Sequence, residues 1–307
     1  MFSLVIPYHN REKFLPRTLK SIAACTLLPH RIILVDNAST DASAQICADF
    51  AAAHPELPIV LLSEPRKGAS VARNAGLREV RTEWVYFFDS DDELSSGFFE
   101  AVAEAIKQNP AADLVACATL MVFADGREVR RAVQYSVSVV DQLLSGQLAT
   151  QGMFVRTDLL RSIGGWNESL STWDDWELGI RLLMRAPRTV WLRGRAWHRL
   201  YQHEDSQTGK DFSSTWMRIC KALETAYREV LSDSTYLQAL AVRSMLLAGI
   251  LAKEKNQQAA THVRHIACGM ARKEPVFFKK IILPVLYHYT RLGGRGGWIL
   301  ARKLFLR

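Results

Sequence analysis

Residues Trp84-Val85-Tyr86-Phe87-Phe88 form an unbroken apolar and aromatic run that ends in Asp89-Ser90-Asp91-Asp92. A strand with no polar side to its pattern must be covered on both faces, which confines it to the interior of a sheet flanked by helices. In open sheets of that kind, ligands bind beyond the carboxyl ends of the strands, where these acids fall. Three carboxylates within four residues repel one another unless a cation or hydrogen bonds offset the charge. Mg²⁺ or Mn²⁺ with a phosphate-bearing substrate suits such a set, because hard cations prefer oxygen ligands. The same acids also read as solvated caps of a helix starting near Ser95, and the segment by itself leaves both readings open.

The surrounding chain extends the pattern. Strands are predicted at Ser3–Pro7, Arg31–Asp36, Ile59–Ser63, Trp84–Asp89 and Asp113–Met121. Between them lie helical patterns at Glu12–Ala24, Asp41–Ala53, Gly68–Val80 and Gly97–Gln108. Such alternation implies βαβ units and a mostly parallel, doubly wound, Rossmann-like α/β sheet. Ala124-Asp125-Gly126-Arg127 reads as a hairpin with a type I′ turn. Further strands are predicted at Gly152–Val155 and Thr189–Leu192, with an amphipathic helix at Trp176–Arg185. Long helical segments follow at Ser213–Leu231 and Thr235–Lys253, so a boundary near residue 210 divides an α/β part, 1–210, from a helical extension, 211–307.

Composition narrows the class. With 49% hydrophobic and 23% charged residues, the chain is an ordinary globular one. Its five scattered cysteines include no C-x-x-C pair, which argues for a reducing compartment and against a structural zinc. The start enters a strand without a charged leader, and no apolar run approaches the roughly 20 residues of a membrane span, so neither a secretory signal nor a spanning helix is expected. The net charge of +8 is uneven: from Lys253 onward, twelve Lys and Arg face only Glu254 and Glu274. The first 252 residues are slightly acidic, and no nucleic-acid partner is expected.

Four stretches fall at predicted strand ends. In Val5-Ile6-Pro7-Tyr8-His9-Asn10, Pro7 stops the strand and a ring of Tyr8 or His9 could stack on a base. In Leu34-Val35-Asp36-Asn37-Ala38-Ser39-Thr40-Asp41, Asp36 could accept a hydrogen bond from a base, while Thr40 or Asp41 caps the next helix. In Gly68-Ala69-Ser70-Val71-Ala72-Arg73-Asn74-Ala75-Gly76, Arg73 lies where its guanidinium could reach a phosphate. That glycine spacing is neither the dinucleotide fingerprint nor a P-loop. The fourth stretch is the acid cluster.

In this order the motifs resemble family 2 of the inverting, GT-A-fold nucleotide-sugar glycosyltransferases, over roughly residues 1–210. The resemblance implies a base, usually uracil, held by Asp36 and flanked by Pro7, Tyr8, His9 and Asn10, with Arg73 beside the nucleotide. It implies Asp89 and Ser90 on the ribose side and Asp91 as ligand of Mn²⁺ or Mg²⁺. The family commonly has Tyr where this chain has His9. Ser171-Thr172-Trp173-Asp174-Asp175-Trp176-Glu177 is similar to the family's Glu-Asp motif, which implies that Asp175 is the base that deprotonates the acceptor and that Asp174 replaces the usual Glu. Both acids also read as favoured first-turn residues of a helix. Gly164-Gly165-Trp166 resembles the segment lining the sugar and acceptor pocket, where Trp166 offers a ring to a sugar; a core tryptophan is the competing reading. Trp197–Ser206 resembles a mobile loop closing over the diphosphate, with His203, or alternatively His198, touching metal or phosphate.

The tail mixes bulky apolar residues with lysines and arginines over 275–307, which suits an anionic membrane surface; a helix packed on the catalytic part or an oligomer contact are the other readings. The expectation is thus a metal-dependent inverting glycosyltransferase taking a sugar from a nucleotide diphosphate, a UDP-sugar by resemblance, to a glycan or glycolipid acceptor in cell-surface polysaccharide synthesis. A cytoplasmic location, peripheral on the inner face of the membrane, goes with it. Two rivals stand: a nucleotidyltransferase of similar fold, although Pro7–Lys13 lacks the glycine-rich loop such an enzyme wants, and a non-catalytic membrane-associated binding protein.

Overall fold

The computed structural model describes residues 2–131, 138–203 and 211–305. In the first half, β1 (Phe2–Tyr8), α1 (Leu15–Ala23), β2 (Arg31–Asp36), α2 (Ser43–Ala53), β3 (Ile59–Ser63), α3 (Ala69–Glu79) and β4 (Trp84–Phe87) alternate without interruption. After the acids come β5 (Glu93–Leu94), α4 (Phe98–Gln108), β6 (Leu114–Cys117), β7 (Thr119–Val122) and β8 (Glu128–Arg131). Then follow α5 (Val139–Ser145), β9 (Met153–Arg156), α6 (Thr157–Ser162), α7 (Asp174–Leu183), β10 (Thr189–Leu192) and β11 (His198–Tyr201). The remainder is helical: α8 (Trp216–Val230), α9 (Ser234–Lys253), α10 (Gln257–Met270), α11 (Leu283–Arg291), entered through a π turn at Phe278–Ile282, and α12 (Gly297–Phe305).

Seven strands form the main sheet in the order β10-β6-β9-β4-β1-β2-β3. All neighbours run parallel except β9, which is antiparallel to both β4 and β6. The side chains obey the two-residue period of a strand: Val5, Ile33, Val35, Val85 and Phe87 enter one apolar cluster, and Leu4, Ile6, Ile32, Leu34, Trp84 and Tyr86 the other. Two covered faces explain why β4 carries no polar residue. A smaller sheet, β5-β11-β7-β8, stands at the edge of the acid loop. Gly76 lets α3 lie directly on β1, since a Cβ there would fall 2.3 Å from Val5 Cγ1.

Three local expectations are corrected. The strand predicted over Asp113–Met121 breaks at Ala118, whose carbonyl accepts from Trp197 N at 3.0 Å, and its halves β6 and β7 join different sheets. Pro7 does not stop β1, which continues to Tyr8. Pairing with β4 ends at Val5 opposite Phe87, so the missing N–H of Pro7 faces no strand, while Tyr8 still pairs with Asp36 of β2. The β7–β8 connection is no type I′ turn: Gly126 N donates to the Phe123 carbonyl at 2.9 Å and only Gly126 has positive φ, +79°. That is a type I turn closed by a glycine bulge.

The helical extension does not stand apart. Leu223, Leu240 and Leu247 share one apolar cluster with Leu143 of α5 and Leu178 of α7. Against expectation, α9 is long and apolar enough to cross a membrane, but most of its apolar stretch is buried within the molecule. It is the axis about which α5, α8, α10 and α11 pack.

Candidate active site

The carboxyl ends of β1, β2 and β4, the start of α3 and the start of α7 meet at one end of the sheet. Asn37, which sequence reasoning left without a role, ties this end together. It is buried; its Nδ2 donates to the Glu64 and Arg66 carbonyls at 3.0 and 2.8 Å, and its Oδ1 accepts from Gly68 N at 2.8 Å. Asp36 is half-buried beside it and accepts from Ser39 N at 3.1 Å through Oδ1. His9 is partly exposed, and its Nδ1 donates to the Asn37 carbonyl at 2.8 Å, since a carbonyl can only accept. Asn10 is exposed in the left-handed region at φ +51° and accepts from Thr40 N at 2.8 Å.

Tyr8 is corrected. Its ring is buried in the core, and burial, with Cys47 and Asp36 close by, pushes the phenol pKa far up, so it offers no face to a base. Of the two rings proposed for stacking, His9 alone is accessible.

Arg73 is corrected as well. Its guanidinium is buried and already committed: Nη2 donates to Asp89 Oδ1 at 2.9 Å and Nη1 to Asp174 Oδ2 at 2.7 Å. Burial pulls its pKa down, yet the Asp174 and Asp89 carboxylates outweigh burial and leave it above the ordinary arginine value. Instead of reaching a phosphate, Arg73 bolts the acid loop to the first turn of α7. Trp166 lies beneath it, with the guanidinium carbon 4.4 Å from the ring centroid. Buried at 2% exposure and packed edge-on against Phe87, Trp166 is a core tryptophan and no platform for a sugar. The Gly164–Gly165 turn is held by Asn74, which accepts from Trp166 N at 2.9 Å; a Cβ on Gly165 would fall 2.7 Å from its Oδ1. Arg181, paired to Glu177 through Nε and Nη2, donates from Nη1 to the Ile163 and Gly165 carbonyls at 2.7 and 2.9 Å.

Each acid of the loop has its own surroundings. Asp89 Oδ2 and Asp92 Oδ2 both accept from Gln151 Nε2, at 2.6 and 2.7 Å. Asp92 is buried, and Tyr201 N donates to its Oδ1 at 3.0 Å. Burial, then the neighbouring charges of Asp91 and Asp89, raise its pKa well above the carboxylate range. Asp92, which had no role in the sequence reading, is a structural member of this loop. Ser90 is buried too, and its carbonyl and that of Asp92 lie 3.0 and 2.7 Å from Thr18 Oγ1. Asp91 is half-buried: its Oδ2 is 3.0 Å from His203 Nε2 and 3.4 Å from Arg11 Nε. Arg17 donates to its carbonyl while stacking 3.6 Å above the Tyr201 ring. Gln151, Arg11 and Arg17 escaped the sequence reading because no local pattern marks them.

His203 stacks on Phe14, with ring centroids 4.3 Å apart. The rest of the predicted closing loop, from Glu204 to Ser206, lies outside the described residues. His198, the alternative histidine, is corrected: it is buried 2.9 Å from the Tyr86 hydroxyl, and burial lowers its pKa to about 3. It stays neutral and touches none of the loop acids.

Asp174 and Asp175 open α7, where the helix N-terminus favours negative charge. Asp174 is occupied by Arg73 and by Ser70 Oγ at 3.1 Å, so it is a fixed anchor. Asp175 is half-buried, and its Oδ1 accepts from Trp176 N at 2.7 Å. The residue before them, Trp173, sits in the left-handed region at φ +56°, a conformation that costs a bulky residue energy unless its neighbours enforce it. Trp176, Phe212 and the Arg243 guanidinium, 4.7 Å from its ring, surround it.

Among the described residues, no three His, Cys, Asp or Glu side chains converge into a metal cage. The Asp91 carboxylate, 3.0 Å from the His203 imidazole, nevertheless suits Mg²⁺ or Mn²⁺, which commonly take one or two protein ligands and complete their shell with water and substrate phosphates.

A seven-stranded mixed α/β sheet with acids at the end of β4 defines a GT-A glycosyltransferase fold, and comparison with known proteins bears this out. The profile of Glycosyl transferase family 2 matches residues 3–163, and that of Glycosyl transferase family group 2 matches residues 84–252. The chain belongs to glycosyl transferase family 2. It is similar to the minor teichoic acid biosynthesis protein GgaA of Bacillus subtilis, 27% identical over 249 residues that cover 76% of this chain and 54% of GgaA. A PGL/p-HBAD biosynthesis glycosyltransferase of Mycobacterium bovis is 29% identical over 59% of this chain and 69% of its own. The chain thus spans about half of GgaA, and only 36% of the uncharacterized glycosyltransferase EpsJ of Bacillus subtilis. In fold it resembles S. aureus TarS 1-349 in complex with UDP-GlcNAc, at TM-score 0.71 and 20% identity over 95% of this chain and 87% of that one. It also resembles the Pyrobaculum calidifontis mannosyltransferase PcManGT in complex with GDP-Man and Mn²⁺, at TM-score 0.57 and 18% identity over 98% and 85%.

Proposed function

We propose that this chain is an inverting, metal-dependent glycosyltransferase that moves a sugar from a UDP-sugar to a hydroxyl of a glycan or glycolipid in bacterial cell-surface polysaccharide synthesis. The observation that carries this reading is the Arg73 bridge, which joins Asp89 of the acid loop to Asp174, the neighbour of Asp175. It holds the donor side and the acceptor side of the site at a fixed separation, as displacement at an anomeric carbon requires. The UDP donor is supported by the UDP-GlcNAc complex of TarS, and the cell-surface role by the name of GgaA.

Asp36 and the accessible His9 ring bind the base, flanked by Pro7 and Asn10, with Asp89 and Ser90 toward the ribose. Asp91 and His203 hold Mn²⁺ or Mg²⁺, which when bound offsets charge on the departing diphosphate. Arg11, beside Asp91, adds a second cation there. Asp175 takes the acceptor proton as the hydroxyl attacks from the face opposite the diphosphate. Residues 1–210 carry this chemistry, and 211–307 support it as a helical extension.

A thermal-shift panel of UDP, GDP, TDP and CDP sugars, with and without Mn²⁺, tests the donor and the metal together. Stabilisation by a UDP-sugar that needs Mn²⁺ and vanishes in Asp91→Ala is expected. A metal-independent shift, or one retained in full by Asp91→Ala, would remove the metal assignment.

A further inference from the structure

Residues 276–291 form one helical stretch whose inner side is buried at Phe278, Ile282, Leu283, Leu286 and Tyr287, its α11 part packing on α9. The outer side of such a surface helix is ordinarily polar. Here it is not. Phe277, Ile281, Val285 and Leu292 are 58%, 50%, 55% and 87% exposed, and their spacing of four, four and seven sets them on one stripe. Ile281, Pro284, Val285 and Tyr289 line a shallow groove of about 470 Å³ along it.

The charge around the stripe has a single sign. From Pro275 to Arg307 the sequence holds seven Lys and Arg and no Asp or Glu. Lys280, Arg291 and Arg295 are exposed along the stretch, with Arg272 and Lys273 just before it. The nearest acid upstream, Glu274, is turned inward, buried and bonded to Gln238. An apolar stripe rimmed by cations matches the boundary between acyl chains and anionic headgroups. It matches a second copy of itself badly, because two such rims brought face to face would repel.

We propose that this face docks the protein on an anionic lipid bilayer, with Phe277, Ile281, Val285 and Leu292 in the acyl boundary and Lys280, Arg291 and Arg295 against the headgroups. Docking needs no sugar transfer and stands or falls separately from the reaction proposed above.

The test is co-sedimentation of the full chain with phosphatidylcholine vesicles, pure or with roughly one-third phosphatidylglycerol, at about 0.1 M and about 0.5 M salt. Binding should require phosphatidylglycerol and weaken at the higher salt. The double variant Ile281→Asp, Val285→Asp should bind at least about tenfold more weakly. Both residues already face solvent, so its melting temperature and its stabilisation by donor nucleotide should stay unchanged. The charge pair Lys280→Glu, Arg291→Glu should abolish the phosphatidylglycerol preference. Equal binding to both vesicle types, or undiminished binding by the aspartate variant, would overturn the proposal. So would light scattering that finds a dimer which the aspartate variant dissolves, since the face would then belong to a second copy.

Discussion

Arg73 stands between two segments 85 residues apart, and its guanidinium is the only cation in direct contact with both Asp89 and Asp174 among the described residues. Replacing it with Met would leave two half-buried carboxylates without their partner, a loss of about 3–5 kcal/mol for a buried pair broken on one side. Urea unfolding of Arg73→Met should show a loss of that order, and Arg73→Lys should recover part of it but not the two-pronged geometry. Asp175 makes a different prediction. Asp175→Asn removes the carboxylate proposed as the base while the shape remains, so kcat should fall by about 10²- to 10⁴-fold with UDP affinity retained. A loss of affinity as large as the loss of rate would make Asp175 a structural residue.

Some strand boundaries follow directly from local chemistry. β2 and β3 run from Arg31 to Asp36 and from Ile59 to Ser63 as the apolar runs predict, β2 buried inside the sheet and β3 only partly covered at its edge. Asn37, Gln151, Arg11 and Arg17 were not legible in this way, since each acts on residues far along the chain and nothing in its own neighbourhood marks it. The α3–β1 contact is a close test of element packing. Gly76→Ala would put a methyl 2.3 Å from Val5 Cγ1, and α3 must shift to admit it. Overpacking of this kind costs about 1–3 kcal/mol. Because α3 also carries Arg73, the denaturation midpoint and the rate should fall together.

At the scale of the whole molecule, His198 contributes one response to acid. Its folded pKa, about 3, lies below the ordinary value of 6.5, so between these limits the unfolded chain binds a proton that the folded one refuses. Stability from this group is complete above about pH 6.5 and is lost as the pH falls toward about 3, by up to about 1.4 kcal/mol per unit. His198→Phe should flatten that slope when unfolding is compared at about pH 7.5 and about pH 5. An unchanged slope would mean that other groups dominate.

The alternation of strands and helices, the acids at the end of β4 and the basic tail were written in the amino-acid order, because each depends on periodicity or composition within a short window. Tertiary structure alone decided which rings are open and which are core: Tyr8 and Trp166 are buried, His9 is not. It also decided that β9 enters antiparallel between β6 and β4, carrying Gln151 to Asp89 and Asp92, and that Arg73 meets acids instead of phosphate. In the tail, both sides of 276–291 are apolar, and only the packing on α9 showed which one is left facing outward. The reason is common to all of these. Periodicity records which side of an element is apolar, while what covers a given residue, and whether anything does, is set by segments tens of residues away.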